Sequence, residues 1–436
     1  MTREGLGASG GFRRTAITTY GATVIVLVLS LGTGVLVARI LGPSGRGELS
    51  AVITPALLIT WTFAIGCTTA VAYHQAHHPE DAPRLLSTWA VILAPAAVVA
   101  LVVGELLVPV LLSAQSEETI WLGRLFMLTV VLGLAFEPFM GITLGDQDFG
   151  FANALRVTPP LILAVSYAVL WVAGALTVST AVVANIVVAV IMLALAATRV
   201  LRRHSFGRPE KTLGRRSLWY GARAHGDIVA SSANTRLDLM IMPAFLSSVT
   251  VGLYSVAANV AGIVLAVCGS LSTVVMSAAA RRGPEGPTLI AAVLQVTLIV
   301  GAGIAILIGL VSGPAVRLIY GADFAGSITP LRLLLPGVVL MAGASVAAAG
   351  LYAVNRPFTA FSAQLAGMAV TVPGLVIFLP RGGATAAAIV SSVAYSTVFV
   401  VMVSLYTHVS DFRWRNLLTF APWMTNALKA LMSRAA

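Results

Sequence analysis

Twelve apolar runs, each near the roughly 20 residues that a helix needs to cross a hydrocarbon core, dominate the 436-residue chain. They fall at about 17–38, 50–73, 85–112, 121–144, 157–177, 179–198, 217–244, 249–276, 288–311, 328–354, 358–379 and 384–407. Only 10% of the residues are charged, against about 25% in a soluble chain, which excludes a water-soluble fold. Continuous runs in place of alternation also exclude a porin-type barrel. The expected fold class is an all-α integral membrane protein with about 12 transmembrane helices. The first run follows Arg13-Arg14, but it is too long for a signal-peptide core and no Ala-x-Ala-like site closes it, so it reads as a retained span.

The 27 Lys+Arg exceed the 16 Asp+Glu, giving a net charge of +11. In a soluble protein that surplus would suggest nucleic acid; here it orients the chain. The N-terminal segment, the even-numbered loops and the tail hold 19 of the cations, seven of them in 199–216. The odd-numbered loops hold four, Arg39, Arg46, Arg317 and Arg381. The positive-inside rule then places both termini in the cytoplasm. The expected organisation is a cytoplasmic tail (1–16), a six-helix bundle (17–198), a basic linker (199–216), a second six-helix bundle (217–407) and an amphipathic cytoplasmic tail (408–436). In that last segment Trp414, Leu417 and Leu418 alternate with Arg413 and Arg415, as in a helix lying on the membrane surface.

The two halves carry a weak internal repeat. LGPSGRGELSAV (Leu41–Val52) overlays LSSVTVGLYSVA (Leu246–Ala257), matching Gly47 with Gly252 and Ser50 with Ser255. Arg124 overlays Arg332, and Gly141 overlays Gly350. Six spans is an even number, so a duplication gives parallel-related bundles about an axis along the membrane normal. Two such bundles would face a central cleft, an architecture suited to alternating access.

Charges inside the membrane are the informative residues, because a central one costs about 2.5–3.5 kcal/mol on insertion scales. The seventh span carries Arg223, Asp227, Arg236 and Asp238, with His225 and Asn234. At 100° per residue Arg223, Asp227, Ser231, Asn234 and Asp238 share one arc, a polar stripe expected to line the cleft. The alternative is that Arg223 and Asp227, four apart, pair and stitch helices together. Arg236, opposite the stripe, is expected to snorkel to the outer interface, with lining of the cleft as the alternative. Arg124 and Arg332, near the outer ends of the fourth and tenth spans, either grip an anionic group, as guanidinium suits phosphate, or anchor the interface. Glu137 precedes Pro138 in the fourth span, and a carboxylate beside a proline-freed carbonyl suits a cation or proton. Asp227, Asp238 and Glu137 are therefore the candidates for ion coupling.

No catalytic site, cofactor or metal is expected. Gly5–Gly10 satisfies GxGxxG but follows no strand, so it reads as a flexible tail, and no Walker A sequence is present. Asp146-Gln147-Asp148 resembles a metal-binding DxD but reads as a pair of solvated caps, and His74, His77 and His78 cluster in the second loop without a strong metal pattern. Cys67 and Cys268 lie in apolar runs and read as core residues. Every outward loop is short, so no extracytoplasmic domain is available for chemistry.

Two segments, ARILGPSGRGELS (Ala38–Ser50) and NTRLDLMIMPAFLSSVTVGLYSVA (Asn234–Ala257), resemble polysaccharide-precursor flippases of the O-antigen type. These belong to the superfamily that includes multidrug and lipid II exporters. The resemblance extends over the chain in span layout, and twelve spans suit this branch better than the fourteen of the lipid II branch. It implies a bacterial inner-membrane protein that moves undecaprenyl-pyrophosphate-linked oligosaccharide from the cytoplasmic to the outer leaflet, coupled to H+ or Na+. The partners implied are that lipid-linked glycan and membrane lipid, with no nucleic acid. The glycine-rich first outer loop of the family is matched by Gly42, Pro43, Gly45, Arg46 and Gly47; a tight turn is expected, with Arg46 positioned to meet phosphate. A cation-coupled multidrug or small-molecule antiporter of the same fold is the alternative.

Overall fold

Lipid offers no partner to a free backbone group, so each span must close its hydrogen bonds internally. The computed structural model describes residues 4–282 and 286–410, and among them every regular element is helical. The helices are α1 (Glu4–Phe63), α2 (Cys67–His77), α3 (Ala82–Leu111), α4 (Glu117–Phe126), α5 (Leu128–Gly145), α6 (Phe149–Val172) and α7 (Val178–Leu201). They continue with α8 (Lys211–Asn234), α9 (Leu237–Ile241), α10 (Ser248–Arg282), α11 (Gly286–Ile319), α12 (Ile328–Ala353) and α13 (Pro357–Val409). The amphipathic tail expected beyond 410 lies outside the described residues. The N-terminal glycine segment, expected as a flexible tail, falls within α1.

Among the described residues nine helical stretches are long and apolar enough to cross a membrane. Two of them hold two spans each, because α1 breaks at Gly42 (φ 68°, ψ −176°) and α13 at Gly383 (φ 56°, ψ −144°). Those backbone angles are strained for any residue with a Cβ. The break at Gly42 is the turn expected of the LGPSGRG segment. The seventh span, α8, is missing from the apolar set because its composition is too polar, and it completes the twelve.

The chain packs as two compact units. The first holds the described residues through His225 together with Leu239–Gly252, and the second holds Gly226–Asp238 with the described residues from Leu253 onward. The polar seventh span thus contributes to both. Through His225 it belongs to the first unit, where Ser217 accepts a hydrogen bond from the buried Trp89 indole (2.9 Å) and the His225 ring meets the Trp61 carbonyl (2.7 Å). Tyr220 stacks on Tyr73 at 4.2 Å between ring centroids.

The first unit also brings together the two segments that the sequence overlay matched. Gly47 and Gly252 approach so closely that a Cβ on Gly47 would overlap the Ser248 carbonyl, and one on Gly252 would overlap the Pro43 carbonyl. The overlay that aligns Gly47 with Gly252 also aligns Pro43 with Ser248. Each glycine therefore rests on the counterpart of the other's partner, the reciprocal pattern of a two-fold contact. The hydroxyls of Ser44 and Ser248 bond at 2.7 Å, and the Gln115 amide donates to the carbonyls of Pro243 (2.9 Å) and Leu246 (2.8 Å). Small residues let backbones meet where no hydrophobic force drives helices together in lipid.

Candidate functional site

A span as polar as α8 is stable only if its polar side chains find partners, and in the second unit Asp227 and Asn234 each find at least one. The carboxylate of Asp227 accepts a hydrogen bond from the Tyr352 hydroxyl at the end of α12. Its other oxygen, Oδ1, is buried with no partner among the described residues. Two turns on, the Asn234 amide donates to the carbonyl and to the side-chain oxygen of Gln364 on α13, each at 2.9 Å. The Asn234 Oδ1 is likewise buried and without a partner among the described residues. Asp238 accepts from the Tyr254 hydroxyl of α10 and from Ser391 Oγ of α13 (3.0 Å).

The stripe is not one continuous helix face. α8 ends at Asn234 and α9 starts at Leu237, so Asp238 stands on a separate short helix. Arg236, at the break, is half-buried, and its charge acts on Asp238 and on the Tyr395 phenol. Arg223, four residues before Asp227, lies in the first unit, exposed, with its guanidinium 5.7 Å from the Trp219 ring centroid. That is a cation–π contact.

In the first unit Glu137 is half-buried, and a carboxylate oxygen accepts from Thr68 Oγ1 of α2. The same hydroxyl reaches the Glu137 carbonyl at 3.0 Å. Gly141 and Gly145 make this possible. A Cβ at Gly141 would meet the Val71 side chain at 2.6 Å, and one at Gly145 would overlap Gln75, so α2 and α5 come within hydroxyl reach only with glycine there. Neither Asp227 nor Glu137 has a cationic partner among the described residues; their donors are neutral hydroxyls.

The symmetric arginines are each engaged within their own unit. Arg124 faces Glu105 across α3 and α4 at 3.8 Å, with both side chains half-exposed. Arg332 Nε donates to Ser312 Oγ (2.9 Å) and to the Gly309 carbonyl (3.2 Å) on α11. The charge of Arg46 acts on the Tyr167 phenol, whose oxygen accepts from the Asn185 amide at 2.6 Å.

The acidic pair at the end of α5 forms latches. Asp146 accepts from Gln75 Nε2 (2.7 Å) and lies 2.9 Å from His204 Nε2. Asp148 meets Arg199 at 3.0 Å and Arg203 at 3.3 Å. Burial works against the Asp148 charge, but hydrogen bonds from Arg199 and the Phe151 N–H, with the two arginine charges, outweigh it. They hold its carboxyl below the usual carboxylate range. His74 is buried beside Tyr73 and Tyr220. Burial, then the charges of Arg216, His78 and His77, lower its pKa, with Asp81 opposing. Ligand atoms of His78, Glu80 and Asp81 lie within 4.8 Å of one another. His78 and Glu80 are exposed and Asp81 pairs with Arg84, an arrangement common on wet surfaces.

Sequence reasoning identified the charged members of these clusters and missed their partners, Tyr352, Gln364, Tyr254, Ser391 and Thr68. Neutral hydroxyls and amides cost little in a helix and leave no pattern.

The sequence matches the family model described as polysaccharide biosynthesis protein over residues 12–281, more than half of the chain. The chain belongs to this family. No curated protein matches it in sequence. Among solved structures this family member is similar to the lipid II flippase MurJ in an inward closed conformation, at a TM-score of 0.73 and 16% identity, covering 93% of this chain and 89% of that one. It is also similar to a multidrug resistance MATE family transporter of the MOP superfamily in its inward-facing conformation. There the TM-score is 0.70 at 14% identity, with 97% of this chain and 100% of that one covered. The outward-facing conformation of a MATE family transporter gives 0.64 at 14% identity, covering 91% and 94%. At these identities the likeness is one of fold. The chain is a multi-pass membrane protein of the polysaccharide biosynthesis family.

Proposed function

We propose that the protein is a flippase that moves a polyprenyl-pyrophosphate-linked oligosaccharide from the cytoplasmic to the outer leaflet by alternating access, in cell-surface polysaccharide biosynthesis. The observation that carries this reading is the family match over residues 12–281, on a chain with nine described helical stretches long and apolar enough to cross a membrane. The neighbour named as a lipid II flippase handles a lipid-linked precursor, which fits the same chemistry. Such a cargo has a polar, anionic head that lipid rejects and an isoprenoid tail that lipid accepts, so a helical membrane body that shelters only the head is sufficient.

Ion coupling falls to Asp227, Asp238 and Glu137, with Asn234 beside them. Asp227 and Glu137, held by neutral hydroxyls, can take a proton or a small cation at modest electrostatic cost; at Asp238 the Arg236 charge favours the ionised carboxylate. Arg223, Arg124, Arg332 and Arg46 are the candidates for the phosphates. The membrane is the cytoplasmic one, with both termini inside.

The test is the lipid pool of cells lacking the protein: a lipid-linked oligosaccharide should accumulate in the cytoplasmic leaflet and return to normal on complementation. A second reading, a cation-coupled multidrug antiporter, is supported by the full coverage of the MATE fold. It predicts instead an unchanged lipid pool and a raised sensitivity to cationic drugs.

A further inference from the structure

Within the first unit α3 and α5 do not close against each other along their whole length. They leave an apolar groove of about 280 Å³, lined by Ala90, Ala94, Ala97, Leu134 and Ala135 and met by Phe206 from the linker. The alanines create the space. Three of these alanines, Ala90 and Ala94 on α3 and Ala135 on α5, are themselves exposed, so the groove opens on the surface that hydrocarbon covers.

The linker is fixed at one end of it. The Gly207 N–H donates to the Pro83 carbonyl (2.9 Å), Ser87 Oγ donates to the Gly207 carbonyl (2.7 Å), and the Glu210 N–H donates to Thr88 Oγ1 (3.0 Å). These bonds hold Phe206, itself 55% exposed, over the first turns of α3. On either side of it in the chain stand Arg202 and Arg208, both exposed, and among the described residues neither forms an ion pair. Arg203 and Arg84, by contrast, are taken up by Asp148 and by Asp81 and Glu210.

An occupant must therefore be apolar along α3 and α5 and anionic where the linker crosses. We propose that the groove is a binding site for an anionic phospholipid of the surrounding bilayer, one acyl chain lying between α3 and α5 and its phosphate against Arg202 and Arg208. A zwitterionic lipid fills the groove without using the cations. The site does not depend on what the protein transports.

Native mass spectrometry of the purified full-length protein, titrated with phosphatidylglycerol or phosphatidylcholine of the same acyl chains, tests this. Near-surface cations contribute about 5-fold each and about 30-fold together, so phosphatidylglycerol should bind about 30-fold more tightly. Changing Arg202→Gln with Arg208→Gln should bring the two lipids to within about 2-fold and leave phosphatidylcholine unaffected. Ala94→Phe, which fills the groove, should weaken both lipids at least 10-fold, with thermal melting in lipid-free detergent reporting whether it folds. Phe206→Ala, at an exposed position, provides a second test and should weaken both several-fold. Equal affinities for the two lipids, or unchanged binding in the groove variants, would overturn the proposal. Displacement of phosphatidylglycerol by a tighter-binding polyprenyl phosphate would also overturn it and reassign the groove to an isoprenoid tail.

Discussion

The hydroxyl of Tyr352 donates to one oxygen of the Asp227 carboxyl, while the other oxygen is buried with no partner among the described residues. The arrangement joins the polar seventh span to α12 and leaves one lone-pair face of a carboxylate open to a proton or cation. Asp227→Asn removes the charge and keeps the hydrogen bond from the phenol. Transport should fall at least 10-fold with membrane insertion and melting temperature unchanged, as measured by glycan export and by melting of the purified variant. Tyr352→Phe should leave transport partly intact and lower stability by about 1–3 kcal/mol, the cost of a buried acceptor left unmade.

Asn234 works differently, because both of its donor bonds end on Gln364. Asn234→Ala strips the Gln364 groups of their donor, and about 1–3 kcal/mol of destabilisation is expected. Melting of the variant in detergent should show it. If Asn234→Ala melts normally but abolishes export, the residue serves transport rather than packing.

Gly47 and Gly252 tolerate no side chain, since in each case the obstacle is backbone and not a rotatable group. Either glycine changed to alanine should reduce the yield of folded protein more than Gly262→Ala, a helical glycine of α10 with nothing within 4 Å of a Cβ placed there. Fluorescence-detected size exclusion of the three variants makes the comparison.

How much of this was legible in the sequence divides along physical lines. The spans could be read because lipid imposes a length and a composition on every one of them. α8 could be singled out because it violates that composition. The turn at Gly42 followed from its glycine-rich segment, whereas the break between Asn234 and Leu237 carries no glycine or proline and gave no warning. Partners that sit far off in sequence and carry no charge, such as Ser391 for Asp238 or Thr68 for Glu137, were invisible. A hydroxyl in a membrane helix usually bonds its own backbone, as Thr54 does to the Ser50 carbonyl at 2.7 Å.

Asp148 provides a pH prediction outside the spans. Its carboxyl titrates below the ordinary range when folded, so its contribution is present above the unfolded value, about pH 3.9. That contribution disappears as pH falls through the lower folded value. Asp148→Asn should therefore lower the melting temperature at pH 7, and the difference from the unchanged protein should shrink as the pH is taken down through the lowered folded value. The pair is partly exposed, and the effect should stay below about 1 kcal/mol.

The orientation rests on the seven cations of 199–216, all of them exposed. A cysteine placed at Arg208 should resist membrane-impermeant thiol reagents in intact cells and react after permeabilisation. Labelling in intact cells would reverse the topology.

The central claim is that this chain moves a lipid-linked glycan between leaflets, and reconstitution tests it most directly. The purified protein is placed in vesicles carrying a fluorescent undecaprenyl-pyrophosphate oligosaccharide, and the fraction reached by an impermeant quencher is followed in time. The account predicts leaflet exchange at least 10-fold faster than in protein-free vesicles, and a loss of most of that rate with Asp227→Asn. Exchange no faster than in empty vesicles, with the protein shown to be folded and inserted, would contradict it.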